Sequence, residues 1–189
     1  MVDALLRGAA RVLVARGYAE ATTNHIAAAA GASVGSLYEY FGDKDALFEA
    51  IARAHVDASA AQLRTCLETL EANPRQPLVG IVEALVQTMV ELHAAEPALH
   101  HRLATEVPLS SALRRQVRDL EIEVVLRVTA LVDGHPDVRT PRPSQAVVVC
   151  VQAIDALTHR WFAGDDADVD PDSATHELTS LVLHHLQAS

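Results

Sequence analysis

The sequence predicts an all-α protein: an N-terminal three-helix helix-turn-helix module joined by a long helix to a larger helical body. Three observations predict it. Strand-like alternation is almost absent along the 189 residues. Glycine and proline, at eight each, mostly fall between stretches of helical periodicity. Half of the residues are hydrophobic, enough to build a sizeable core at this length.

The breakers place nine helices. The first runs from about Asp3 to Arg16 and stops at Gly17; the second starts after Thr22 or Thr23 and stops near Gly31. The third starts after Ser33 and ends by Gly42, and the fourth starts after Asp43 and runs to about Glu71. Asn73, Pro74 and Pro77 break the chain before a fifth helix over about Leu78 to Ala95. Pro97 opens a short sixth helix ended by Pro108, and Ser110 or Ser111 opens a seventh that reaches about Val132. Three prolines make residues 134–143 a loop. An eighth helix covers about Ser144 to Phe162, residues 164–172 read as an acidic turn, and a ninth helix covers about Ser173 to Leu186. The expected domains are 1–50 and 51–189, with the fourth helix joining them.

Charge is unevenly distributed. The formal net charge of −10 argues against nucleic acid as a partner of the whole surface, yet residues 1–55 hold five cations and six anions. The acidity lies beyond the N-terminal quarter, an arrangement that favours DNA binding by one face only. Cys66 and Cys150 fit no metal-ligand spacing, so a reduced, cytoplasmic setting is expected. Arg7, Arg11 and Arg16 interrupt any leader-like apolar run, and the apolar stretch from Ala146 to Leu157 is broken by Gln152 and Asp155, so no membrane span is expected.

Residues 22–48 carry the chemistry. Ile26, Ala27 and Ala30 share one helical face, Gly31 suits a left-handed turn, Ser33 caps the next helix, and Leu37 and Phe41 face inward four residues apart. This is the pattern of a helix-turn-helix, whose second helix is pushed outward into a major groove. Val34, Gly35, Ser36, Tyr38, Glu39 and Tyr40 are left pointing outward. Gly35 costs about 1 kcal/mol relative to alanine in a helix, which suggests that something approaches the backbone closely there. Tyrosine hydroxyls and helix-terminal amides can bind phosphates. Lys44 opposes the dipole of its own helix, and a nearby phosphate accounts for it.

The string Thr22-Thr23, Ile26-Ala27, Ala30-Gly31, Ser33, Gly35-Ser36-Leu37-Tyr38, Tyr40-Phe41, Lys44 and Leu47, preceded by Gly17-Tyr18, resembles the tetracycline-repressor family of bacterial regulators over about residues 3–50. Beyond it the resemblance rests on length and on the run of helices. It implies phosphate contacts at Thr23, Ser36, Tyr38, Tyr40 and Lys44, and base reading at Asn24, Val34, Gly35 and Glu39. It also implies a homodimer through helices at about 144–162 and 173–186, a palindromic double-stranded operator, and an unknown small-molecule effector, most often one that releases a repressor. Helices four to eight would enclose the effector, with Met89, Leu92, His93, Leu103, Trp161 and Phe162 as lining candidates. The chain departs from the family pattern in two ways. Little sequence stands ahead of the first helix where a basic arm is common, and Glu39 puts an anion on the reading face, where it either accepts from a cytosine amine or points to solvent. Tyr38 and Tyr40 have a second reading, partial burial against the first helix.

Other functions find less support. Ten histidines invite a metal, but the neighbours His100-His101 and His184-His185 point to different sides of a helix, and no His-Glu-x-x-His string exists, so neither metal nor cofactor is expected. Ser110 and Ser111 are explained by a helix cap, and no acid, base or nucleophile string marks an enzyme. The alternative is a helical ligand-binding or scaffold protein that has lost DNA binding.

Overall fold

The computed structural model describes residues 1–73, 75–162 and 169–188. Most of the acidic turn expected at 164–172, and Pro74 of the expected break, lie outside the described residues. Those described form nine helices and no strand: α1 (Val2–Glu20), α2 (Thr23–Ala30), α3 (Val34–Tyr40), α4 (Lys44–Glu71), α5 (Leu78–Ala94), α6 (Pro97–Thr105), α7 (Ser111–Val132), α8 (Pro143–Trp161) and α9 (Pro171–Gln187). All nine expected helices are present. Among the described residues no single helix is long and apolar enough to cross a membrane.

Two compact units share these helices. The first holds residues 1–58 and 98–115; the second holds residues 59–97 and 116–189. α4 contributes to both, as expected. The inclusion of 98–115 in the first unit goes beyond any boundary drawn along the chain. It follows from packing: Leu103, Val107 and Leu113 join Leu5, Leu13, Ile26, Leu37, Leu47 and Phe48 in one apolar core. The first unit then carries eight cations and eight anions, so the whole excess of negative charge belongs to the second.

Within the first unit, Gly8 sets the approach of α1 to α2. A Cβ there would lie 2.9 Å from the Cβ and backbone nitrogen of Ala30, so only glycine permits this crossing. Gly17 breaks α1 as expected, at φ 73° and ψ 171°, although helical residues resume to Glu20. That backbone region is essentially confined to glycine.

In the second unit α5, α8 and α9 pack around Val82, Val86, Val90, Val147, Ile154, Leu178 and Val182. Asp170 caps α9 by accepting from the backbone N–H groups of Asp172 and Ser173. Arg64 pairs with Glu123, and Arg127 pairs with both Glu71 and Glu123, tying α4 to α7. The apolar faces expected to form the dimer mostly turn inward: Val147, Cys150, Ile154, Leu178, Val182 and Leu186 are core. Of the expected faces Leu181 stays exposed (46%), and Val148 (37%) and Val149 (53%) are exposed beside them on α8. A single-helix pattern shows that a face is apolar, not which neighbour covers it.

Candidate nucleic-acid interface

The local chemistry of α2 and α3 follows from their caps. The Thr22 hydroxyl accepts from the His25 N–H at 3.2 Å, and the Ser33 hydroxyl accepts from the Ser36 N–H at 2.9 Å. Gly31 adopts φ 66° and ψ 31°, closing α2 with its N–H directed at the Ala27 and Ala28 carbonyls. Ala32 N–H then bonds to the Ala27 carbonyl at 2.9 Å, so the turn into α3 is short. Ile26 and Leu37 are fully buried, which fixes the rotation of both helices about their axes.

That rotation leaves one face outward. Asn24, Gly35, Tyr38, Glu39 and Tyr40 are exposed, and Thr23, Val34 and Ser36 are half-buried. Tyr38 and Tyr40 are 54% and 51% exposed, so burial against α1 does not account for them. The Tyr38 hydroxyl stands 3.4 Å from the Thr23 hydroxyl, and the Ser36 hydroxyl stands 2.9 Å from that of Ser33. Four hydroxyl-bearing side chains thus stand in two touching pairs on α2, α3 and the turn between them. A Cβ on Gly35 would meet only Ser33 Oγ, at 3.6 Å, an ordinary contact. Nothing among the described residues requires glycine at this position.

Lys44 has partners within the chain. Its Nζ donates to the carbonyls of Tyr18 at 3.0 Å and Ala21 at 3.2 Å, and lies 4.5 Å from the centre of the Tyr18 ring. The carbonyl end of α1, with its partial negative charge, explains this lysine without a phosphate. Asp45 accepts from the Tyr18 hydroxyl at 2.6 Å, and this bond, with burial and the negative charges of Asp45 and Asp43, pushes the phenol up to about 12. Asp43 caps α4 by accepting from the Ala46 N–H at 2.7 Å.

The second unit holds a small, partly open apolar cavity of about 60 Å3 walled by α4, α5, α7, α8 and α9. Of the six expected lining residues only Met89 reaches it. Leu103 belongs to the core of the first unit. Trp161 and Phe162 pack on the core of the second, and Leu92 is half-buried elsewhere on α5. His93 is buried, but its Nδ1–H donates to the Met89 carbonyl at 2.7 Å and its Nε2 faces His159 Nδ1 at 3.2 Å. In the first unit His100 similarly meets His55 at 2.8 Å. Spacing along one helix could not reveal either imidazole pair, because the partners lie 66 and 45 residues apart.

Comparison with known proteins agrees with this architecture. Residues 5–51 match the family model described as bacterial regulatory proteins of the tetR family, and residues 77–186 match that of a tetracyclin repressor-like C-terminal domain. The chain is 28% identical over 174 residues to the HTH-type transcriptional activator FasR of Mycolicibacterium smegmatis, covering 90% of this chain and 75% of that protein. A bacterial regulatory protein of the tetR family from Rhodococcus RHA1 superposes with a TM-score of 0.77 at 21% identity, over 100% of this chain and 97% of that one. The transcriptional regulator FadR of Bacillus subtilis, solved in complex with stearoyl-CoA, superposes with a TM-score of 0.67 at 15% identity, over 98% and 99%. With both family models matched in sequence order and a capped helix-turn-helix at the N-terminus, the chain belongs to the tetracycline-repressor family of DNA-binding transcriptional regulators.

Proposed function

We propose that this chain is a ligand-responsive, sequence-specific regulator that represses transcription as a homodimer and leaves a palindromic operator when a small molecule binds its second unit. The observation that carries this reading is the outward face of α3. Gly35, Tyr38 and Tyr40 are exposed on a helix whose other side is locked by Leu37, and the unit that bears it is electrically neutral while the rest of the chain holds the net −10. Such a surface meets the polyanion at one place and is repelled from it elsewhere. In this reading Thr23, Ser36, Tyr38, Tyr40 and Lys44 bind phosphates, and Asn24, Val34, Gly35 and Glu39 approach base edges. Two copies would set their α3 helices about 34–36 Å apart, one turn of duplex DNA. The effector shifts the dimer between two conformations by binding one of them more tightly. The complex of the similar Bacillus subtilis regulator with stearoyl-CoA supports a small-molecule occupant for the second unit. A reduced cytoplasmic setting fits two free thiols, Cys66 and Cys150.

A second reading has its own support. The outward face of α3 carries no cation, bears Glu39, and has Lys44 turned away to the end of α1. A ligand-binding protein without affinity for DNA would look the same. Gel shift with the DNA upstream of its own gene separates the two. The regulator binds a discrete fragment with nanomolar affinity, and Tyr38→Phe weakens binding to all fragments alike. If no fragment shifts at low salt, the second reading holds.

A further inference from the structure

We infer that His93 and His159, with the carboxylate of Asp155, form a binding site for a divalent transition-metal ion in the second unit. The inference does not depend on the regulator reading. Spacing, orientation, donor chemistry and access each point to it.

His93 lies on α5 and His159 on α8, 66 residues apart, yet His93 Nε2 stands 3.2 Å from His159 Nδ1. Asp155, one helical turn before His159, places a carboxylate oxygen 3.4 Å from the same nitrogen. Ligands about 2.0–2.1 Å from a tetrahedral zinc ion stand roughly 3.3–3.4 Å from one another. Both separations match an edge of such a shell, so an ion can seat with little movement of either helix.

The orientation of His93 is set in advance. Its Nδ1–H donates to the Met89 carbonyl at 2.7 Å, so in the neutral ring Nε2 carries the lone pair and faces His159. A metal-ligating imidazole is ordinarily held in this way, with its other N–H on a carbonyl or carboxylate. His93 is also only 3% exposed, so packing fixes the ring.

A proton is the simpler occupant of this gap, but it serves the site poorly. His159 Nδ1 faces three acceptors: the Asp155 carbonyl at 2.8 Å, His93 Nε2 at 3.2 Å and the Asp155 carboxylate at 3.4 Å. One N–H points well at one of them, whereas a doubly charged ion is attracted by all. Two imidazoles and one carboxylate favour zinc, nickel or cobalt over magnesium and calcium, which take oxygen ligands. Three protein ligands leave a fourth position to water. An ion reaches the buried His93 past His159 and Asp155, whose side chains are 36% and 57% exposed.

Isothermal titration calorimetry of the untagged full chain with zinc chloride, and separately with magnesium chloride, tests this. Zinc should bind with a micromolar or tighter dissociation constant, and magnesium should not bind in that range. His159→Gln and Asp155→Asn change side chains open to solvent, so both variants should fold like the parent, and each should weaken zinc binding by about tenfold or more. Nickel ions should quench the fluorescence of Trp161, the single tryptophan of the chain, two residues beyond His159, and His159→Gln should abolish that quenching. No zinc binding at micromolar concentration, magnesium bound as tightly as zinc, or zinc affinity unchanged in either variant overturns the inference.

Discussion

The carboxylate of Glu106 accepts the backbone N–H of Tyr18 at 2.8 Å, joining residues 88 positions apart in sequence. Tyr18 follows Gly17, whose conformation interrupts the hydrogen bonding of α1, and Glu106 also pairs with Arg102. Four residues on, Ser110 donates to Glu49 of α4 through its N–H at 3.0 Å and its hydroxyl at 2.5 Å. The end of α6 and the start of α7 are thereby built into the helix-turn-helix unit by polar latches as well as by Leu103, Val107 and Leu113.

This latch makes stability pH-dependent. The Tyr18 N–H, and then Arg102, hold the Glu106 carboxyl below its usual value of 4.5. A depressed carboxylate stabilises the fold while ionised, so the contribution is complete above about pH 4.5 and is lost as pH falls through the lower folded value. Glu106→Gln should lower thermal stability at pH 7 by about 1 kcal/mol, roughly 2–4 °C in Tm. The gap from the parent should close as the pH is taken to 3. Melting curves across this range check it; a gap that stays constant with pH would show that the charge of Glu106 contributes nothing.

Lys44→Met should destabilise the chain by about 2 kcal/mol, because it strips an ammonium from the Tyr18 and Ala21 carbonyls and from the Tyr18 ring. Urea denaturation measures this. An unchanged midpoint, together with weakened DNA binding, would show that Lys44 serves the phosphate alone and not the end of α1.

Gly35→Ala separates folding from recognition. A Cβ fits beside Ser33 Oγ at 3.6 Å, and alanine favours a helix over glycine by about 1 kcal/mol, so the variant should melt slightly higher than the parent. Its affinity for the operator should nevertheless fall at least tenfold, because the added methyl stands where the DNA approaches. Fluorescence anisotropy on labelled duplex reads the second quantity; equal affinity for the two proteins would mean that this stretch of α3 does not touch DNA.

The proposed dimer now rests on the side chains that α8 and α9 leave exposed, Val148, Val149 and Leu181, rather than on the buried ones. Val149→Arg and Leu181→Arg should each yield a folded monomer in sedimentation velocity at micromolar concentration, since neither disturbs the core. If both variants sediment as the parent dimer does, the two-fold interface lies elsewhere.

Much of the helix-turn-helix is legible in the sequence because its determinants are local. Thr22, Gly31 and Ser33 lie within a turn of the backbone groups they satisfy, and Leu37 reads as inward from periodicity alone. The contacts of Lys44 with the carbonyl end of α1 are not legible from its own helix, because they lie 23 and 26 residues earlier. Gly17 announces a break but not that Glu106 accepts the N–H of Tyr18 beside it. Leu103 sits within the body of the chain and packs in the first unit, because apolar spacing identifies a buried face without naming its neighbour. The cavity was expected along α4 to α8, and its wall takes Val182 and Leu186 from α9 instead of any residue of α6. Such a wall is assembled from five helices, and no single helix carries its signature.

The central claim is that the exposed face of α3 reads duplex DNA, and DNase I footprinting of the purified full chain on the region upstream of its own gene tests it most directly. The account predicts a discrete protected palindrome with half-sites one helical turn apart, about 10–10.5 base pairs between centres or a multiple of that, and loss of protection for a Tyr38→Ala, Tyr40→Ala double variant that melts like the parent. Unbroken cleavage at every protein concentration, or protection that the double variant retains in full, would contradict it.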